Sequence, residues 1–333
     1  SGCAALLVLE RKNLKGAAVS CAGLLIIFSL AFVLTDIRWS EPYKSVSVRL
    51  VQGGIAQDEK FSPMGSLTSF ERYIRLMNEK PAPENGLVVL PETIFPIPLQ
   101  QLKPEIWKNF THVTDGKAAL MFGGFLRGED GYRNTAVLVE HEKIVQHYTK
   151  KHLVPFGEYV PTGFRWFIDM LQIPMGDLLQ GTPDQKAFEI GGVAAAPLLC
   201  YEDLFASEIR EWWQGAKGPN LLVNLSNLGW FGDTHALPQH LNISRMRAME
   251  FARPVIRATN TGMTAYVTSS GKVAAELPAM KPGRLDAEVV TAQGDPTPFV
   301  KFGALPWLGA MVLVLFSAIL ALLFRKRHRH PLK

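Results

Sequence analysis

Two long stretches of this chain carry no charge, and they bracket everything else. The first is Gly16–Thr35, 20 residues; the second is Phe302–Phe324, 23 residues. At about 1.5 Å per residue, each stretch as a helix covers a hydrocarbon core of roughly 30 Å. Lys15 and Asp36 flank the first, and Lys301 and Arg325 flank the second, which disfavours burial as ordinary core helices. Arg11, Lys12 and Lys15 precede the first stretch, and the run Arg325, Lys326, Arg327, His328, Arg329 comes after the second. The positive-inside rule puts both clusters in the cytoplasm and the intervening segment on the far side of the membrane.

The expected organisation is a membrane segment at 1–36, a catalytic domain at 37–297, and a C-terminal transmembrane helix with a basic tail at 298–333. The first stretch is too long for a signal-peptide core, and no small-residue cleavage site comes after it. The chain begins at Ser1, and residues 1–9 read as the tail of an earlier apolar segment, so a fragment with membrane segments upstream is expected. The net charge of +5 owes much to the basic flanks. With no accompanying binding motif it is no nucleic-acid footprint. Of three cysteines, only Cys200 belongs to the central domain, where a free functional thiol and a buried structural cysteine are both open readings.

Apolar runs bounded by turn residues predict strands at Ser45–Val51, Gly86–Leu90, Ala118–Phe125, Asn134–Val139, Ile144–Tyr148, Val193–Leu199, Asn220–Asn224, Pro254–Ala258, Met263–Thr268 and Leu285–Val290. Several are continuously apolar, as strands buried on both faces are. Helices are expected at Ser66–Asn78, Ala206–Gln214 and Pro238–Ala252. The alternation predicts an α/β layered fold. Gly53-Gly54 and Gly123-Gly124 read as strand-end turns.

Three segments carry chemistry. In Val88-Val89-Leu90-Pro91-Glu92 a buried strand ends at a proline and delivers a carboxylate to its carboxyl end, where α/β sheets place their sites. In Tyr148-Thr149-Lys150 a strand runs into a lysine, and then into a loop with Phe156, Gly157, Glu158 and Tyr159. In Ala196-Pro197-Leu198-Leu199-Cys200-Tyr201-Glu202 a buried strand ends at a cysteine, and the helix expected near Ala206 would favour the thiolate. A lysine about 4 Å from the sulfur, at an effective dielectric of about 20, is worth roughly 4 kcal/mol and would lower the thiol pKa by more than one unit.

Together these segments resemble the nitrilase, or carbon–nitrogen hydrolase, superfamily, over essentially all of residues 45–290. Val223-Asn224-Leu225-Ser226-Asn227 and the stretch from Arg247 to Gly262 fit the same pattern. The resemblance implies an α-β-β-α sandwich, here flanked by transmembrane helices, and a Glu92–Lys150–Cys200 triad. With the two spans, with His152-Leu-Val-Pro-Phe-Gly-Glu158-Tyr-Val-Pro161, and with Val51-Gln-Gly-Gly-Ile-Ala-Gln57, it narrows to similarity with the apolipoprotein N-acyltransferase family. That similarity implies a monomeric bacterial inner-membrane enzyme with a periplasmic catalytic domain. Its acyl donor would be a phospholipid and its acceptor a diacylated apolipoprotein. Cys200 would attack the ester, Glu92 would act as the base, and Lys150 with the Tyr201 N–H would hold the oxyanion. Glu158 would position Lys150 or the incoming group, Tyr201 and Glu202 would orient the Cys200 loop, and Asn224 would support the site. The family usually carries Asn where Gly54 stands, and often Trp where Phe61 stands.

Phe61, Trp230 and Phe231 are expected lipid contacts, with Leu228–Gly232 as a mobile lid or a packed turn, and Trp212 and Trp213 as further interfacial aromatics. His240, Arg253 and Asn260 read as structural. No cofactor is implied, and the histidines form no HExxH or CxxC-type metal pattern. A membrane-tethered amidase or nitrile hydrolase of the same superfamily is the competing enzymatic reading, and a catalytically dead scaffold the non-enzymatic one.

Overall fold

The computed structural model describes residues 21–26, 28, 29, 32, 33, 37–56, 63–114, 116–164, 177–214 and 218–328. Residues 1–39 and 40–333 form two separate compact units. In the first, the described residues between 21 and 33 are helical and mostly exposed.

The second unit is built on two six-stranded sheets. Strands β1 (Glu41–Gln52), β2 (Gly86–Val89), β3 (Ala118–Arg127), β4 (Tyr132–Glu140) and β5 (Lys143–Thr149) form one sheet with β12 (Gly283–Gln293), in the order β12-β1-β2-β3-β4-β5. Strands β6 (Phe188–Ile190), β7 (Val193–Leu199), β8 (Leu221–Ser226), β9 (Val255–Thr259), β10 (Ala265–Val267) and β11 (Val273–Glu276) form the other, in reverse chain order. Each sheet has three parallel central strands, β1-β2-β3 in one and β7-β8-β9 in the other, with antiparallel strands outside them.

The continuous apolar runs resolve into two faces because side chains alternate along a strand. Leu87 and Val89 of β2, Met121 of β3, Leu199 of β7 and Val223 of β8 meet in one core between the sheets. Val88, Leu120 and Phe122 point the other way, onto helices α1 (Pro63–Asn78) and α2 (Pro104–Thr111). Ala196, Leu198 and Leu222 face α3 (Ala206–Ile209) and α4 (Ala236–Phe251). The result is an α-β-β-α sandwich.

Several expectations need correction. The helix predicted at Ala206–Gln214 is α-helical only to Ile209 and continues as a 3-10 turn to Trp213. Helix α2 and strands β6 and β11 had no sequence signal, being short; α2 starts at Pro104, whose missing N–H costs nothing in a first turn. Gly123 and Gly124 lie inside β3 rather than in a turn. Gly54, by contrast, sits just beyond β1 at φ +59°, and a Cβ there would come within 2.7 Å of the Pro282 backbone nitrogen. An asparagine at this position would not fit without a shift of that backbone.

At the C-terminal end, α5 (Pro298–Phe302) is docked on the domain and is separate from the long helix after it. Phe299 packs edge-on against Phe251, and Arg210 donates to the Val300 carbonyl at 3.0 Å. The chain breaks at Gly303 and re-enters a helix, α6 (Leu305–His328), whose side chains are described through Phe316 and are exposed. Among the residues whose side chains are described, which in α6 end at Phe316, no helix is long and apolar enough to cross a membrane. The span expected at Gly16–Thr35 falls partly outside the described residues.

Candidate active site

The three chemistry-bearing residues come to one edge of the sandwich because each lies just past the carboxyl end of a strand. Past β2 the chain stays pinned to β3: Leu90 N donates to Met121 O at 2.9 Å, Gly123 N to Pro91 O at 3.0 Å, and Ile94 N to Gly123 O at 2.9 Å. Glu92 is trapped between these bonds, and a Cβ on Gly123 would stand 2.6 Å from its Cα. Gly123 is therefore the residue that lets the carboxylate approach the strand. Beyond β5, the Lys150 backbone donates to Asn134 O and accepts from Gly181 N, both at 2.9 Å. The Gln185 side chain mimics a neighbouring strand against Thr149, accepting its N–H at 2.6 Å and donating to its carbonyl at 2.7 Å.

The Lys150 ammonium, 1% exposed, donates to Glu92 Oε1 at 3.0 Å and to Glu158 Oε1 at 2.9 Å. Asn134, which had no assigned role from sequence, supplies the fourth member. Its Nδ2 donates to Glu92 at 2.7 Å and to Glu158 at 2.6 Å, while its Oδ1 is buried without a partner. Nothing in the sequence singled out Asn134, since it stands between Arg133 and Thr135 at the polar start of β4. Glu158 Oε2 also accepts from Val154 N at 2.8 Å, which folds the 150–158 loop back on itself.

Cys200 comes directly after β7 at φ +53°, a left-handed conformation that costs a β-carbon-bearing residue about 1–3 kcal/mol. Its neighbours hold it there. Asn224 on β8 donates to the Cys200 carbonyl at 2.8 Å and accepts from Ser226 Oγ at 2.6 Å. Glu202 accepts from Leu199 N and Lys151 N at 2.7 Å, His152 N at 3.2 Å and Tyr148 OH at 3.1 Å. It therefore ties the Cys200 turn to the Lys150 loop across the sandwich. Tyr201 donates to Leu153 O at 2.6 Å, with the Lys150 ammonium 5.6 Å from its ring centroid.

The electrostatics reverse one expectation. The Cys200 thiol is held well above its ordinary pKa: burial and then the Glu92 carboxylate raise it, Lys150 opposes, and Glu158 and Asp203 add to the rise. The lysine does not produce a thiolate because burial and the Glu92 carboxylate outweigh it, and its charge also faces two carboxylates at about 3 Å. The α3 terminus gives little help, since the helix has only four residues. Lys150 is shifted upward; burial works against its charge, and Glu92, Cys200 and Glu158 together outweigh burial. The resting site thus holds a neutral thiol beside a charged lysine.

Of the expected lipid contacts, Phe61 lies outside the described residues. Trp230 and Phe231 sit on an exposed 3-10 turn, 76% and 49% exposed, between left-handed Leu228 and Gly232, so the turn is not packed in the core. Trp213 is not interfacial: it is buried and stacked on Phe251 with centroids 5.0 Å apart. Trp212 is likewise half-buried, against Tyr148. Arg253 and Asn260 are buried, bonded to the Pro219 carbonyl and to Ile55 respectively. Among the described residues no group of three or more His, Cys, Asp or Glu side chains could hold a metal ion.

Comparison with known proteins agrees with this architecture. Residues 47–298 match the carbon-nitrogen hydrolase family model. Relatives named apolipoprotein N-acyltransferase include one from Ralstonia nicotianae, 44% identical over 92% of this chain and 57% of its own length. Another, from Bordetella bronchiseptica, is 38% identical over 90% of this chain and 59% of its own length. The chain thus spans less than two thirds of these relatives. Among solved structures, a CN-hydrolase superfamily protein from Xanthomonas campestris with an arsenic adduct in its active site superposes with a TM-score of 0.53. It is 18% identical and covers 74% of this chain and 91% of its own. A carbon-nitrogen hydrolase from Helicobacter pylori gives a TM-score of 0.53 at 17% identity, over 74% and 89% of the two chains. At that identity these structures speak for the fold, and the family match for descent: the chain belongs to the carbon–nitrogen hydrolase family.

Proposed function

We propose that this chain carries the catalytic domain of an apolipoprotein N-acyltransferase, moving a phospholipid acyl chain through a Cys200 thioester to a lipoprotein's N-terminal amine. The observation that carries the reading is the buried Lys150 ammonium bridging Glu92 and Glu158 beside the Cys200 turn. Its support from outside the site is the naming of relatives that match nine tenths of the chain.

In the first half-reaction the Cys200 sulfur attacks the ester carbonyl of the phospholipid while Glu92 takes the thiol proton. Lys150 and the Tyr201 backbone N–H stabilise the tetrahedral oxyanion. Collapse breaks the ester C–O bond, Glu92 protonates the departing lysophospholipid alcohol, and the acyl chain stays on sulfur. In the second half-reaction the α-amine of the diacylglyceryl-cysteine attacks the thioester, Glu92 accepts the amine proton and returns it to the thiolate sulfur, and the amide leaves. Glu158 and Asn134 hold Lys150 and Glu92 in register, and Glu202 and Asn224 hold the Cys200 turn. The reading places the domain on the periplasmic face of a bacterial inner membrane between the two apolar spans, with Trp230 and Phe231 against lipid.

The test is intact mass after incubation with phospholipid bearing a labelled acyl chain. The expected result is an acyl adduct, released by hydroxylamine and absent from Cys200→Ala. Turnover of small amides or nitriles with no lipid adduct would instead identify a tethered hydrolase, and an adduct persisting without Cys200 would remove it from the chemistry.

A further inference from the structure

The Cys200 turn is gripped from two sides. Glu202 reaches toward Tyr148 and the Lys150 loop. The next residue, Asp203, points the opposite way, into a buried cluster between α4 and β9. Its Oδ2 accepts from Ser244 Oγ at 3.0 Å, and Ser244 Oγ accepts in turn from Arg257 Nη1 at 2.8 Å. Arg257 also donates to His240 O at 2.7 Å and, from Nη2, to His240 Nδ1 at 2.9 Å. Burial and Arg257 push His240 down to about 3, so it is neutral with its proton on Nε2. Its Nδ1 lies 3.6 Å from Asp203 Oδ2. Arg247, 3.0 Å from Glu250, and Glu202 complete the charged groups around Asp203. Asp203, Ser244 and Arg257 are at most 1% exposed. A packed core does not need such a chain of charges, and burying one has a desolvation cost. Its position, one end on the nucleophile turn, gives it a use.

We propose that Asp203 is a positioning residue: bridged through Ser244 to Arg257, its carboxylate anchors the turn that carries Cys200 and ties the reactivity of the thiol to its own charge. This rests on Cys200 being the nucleophile. Both Asp203 and Arg257 act electrostatically on that thiol. Burial raises the Asp203 carboxyl from 3.8 to about 7 against the pull of Arg257, Ser244 and Arg247, so its charge changes near neutrality. Ionising Asp203 adds a negative charge on the same turn as Cys200 and pushes the thiol further up. Across that range the thiolate fraction rises less than tenfold per pH unit.

The experiment is alkylation of the full chain by iodoacetamide, read at Cys200 by peptide mass from about pH 5.5 to about 9. The logarithm of the rate is expected to climb with unit slope, bend near pH 7, and resume, ending roughly three- to tenfold below the extrapolated line. Asp203→Asn removes the bend. Ser244→Ala, which deletes a donor to the carboxylate, moves the bend to higher pH and decides the matter alone where Asp203→Asn does not fold. Altered access to the sulfur displaces the whole line and neither makes nor removes a bend. A straight line in the parent, or an unchanged bend in a folded variant, overturns the proposal. Labelling by phospholipid is scored separately: a bend without a lipid adduct keeps this inference and removes the acyl-transfer reading.

Discussion

Lys150→Met separates what the ammonium does for the fold from what it does for the chemistry. The side chain is 1% exposed, and it is the hydrogen-bonded countercharge of both Glu92 and Glu158, at 3.0 and 2.9 Å. Methionine fills much of the same space but leaves two carboxylates converging on the single amide nitrogen of Asn134. Removing one partner of a buried ion pair costs about 3–5 kcal/mol. That is a large part of the roughly 5–15 kcal/mol that stabilises a typical domain, so urea unfolding of the full chain in detergent should show a clear drop in midpoint. On the proposed mechanism Lys150 is also an oxyanion donor, and its loss should cut acylation of the folded fraction by about 10²–10³. Because the Lys150 pKa is raised, its contribution is complete below the unfolded value of about 10.4 and is not lost at lower pH on the lysine's own account. Stability within about 1 kcal/mol of the parent, or acylation within threefold of it, would refute this reading of the pair.

Gly123→Ala places a Cβ 2.6 Å from the Glu92 Cα, where only backbone can yield; a loss of about 1–3 kcal/mol and a fall in acylation are expected, checked by thermal unfolding beside the lipid-label assay. The raised Asp203 carboxyl makes the folded state bind a proton that the unfolded chain has released between about pH 4 and pH 7. Stability should therefore fall as pH rises through that window, by an amount on the order of a few kcal/mol at most, and Asp203→Asn should flatten that part of a pH series of urea midpoints. Trp230→Ala, at a site 76% exposed, should leave the unfolding midpoint within about 0.5 kcal/mol of the parent while lowering flotation with phospholipid vesicles.

The strands and their layers were legible in the sequence because a strand buried on both faces must be apolar at every position. Val88-Val89-Leu90 and Leu221-Leu222-Val223 meet that demand without ambiguity, and their two-residue period then assigns each side chain to a layer. Short elements were not legible: β6 has three residues, too few to show any period. The convergence of Glu92, Lys150 and Cys200 could be anticipated because all three come after the carboxyl ends of strands. The role of Asn134 was not legible, since its reach to Glu92 depends on the antiparallel pairing that sets it opposite Phe125 on β3, the strand to which the Glu92 turn is pinned. Nor were the true surroundings of Trp213, which looked interfacial beside Trp212 but turns inward onto Phe251. The sign of the thiol shift needed the partners of Lys150. One lysine near a sulfur favours thiolate, but burial of the sulfur and a carboxylate beside it outweigh that lysine here.

On the proposed mechanism, that sign determines what kind of nucleophile Cys200 would be. An unperturbed thiol is only a few per cent thiolate at pH 7, and burial together with Glu92 makes the Cys200 fraction smaller still. A stored thiolate would react with any soft electrophile. A neutral thiol beside a base reacts when attack and proton transfer occur together, at a carbonyl whose developing oxyanion Lys150 can meet. Cys200 should therefore be alkylated by iodoacetamide at pH 7 at least about tenfold more slowly than a cysteine in an unfolded peptide, a difference of one pKa unit or more. Shielding of the sulfur would also slow alkylation, and Glu92→Gln distinguishes the two causes. Removing the carboxylate takes away a charge that raises the thiol, so alkylation at Cys200 should speed up in that variant even as acylation by phospholipid disappears with the base. Alkylation faster than the peptide in the parent would mean that the sulfur is held as thiolate, and slower alkylation in Glu92→Gln than in the parent would mean that the carboxylate does not hold the thiol up.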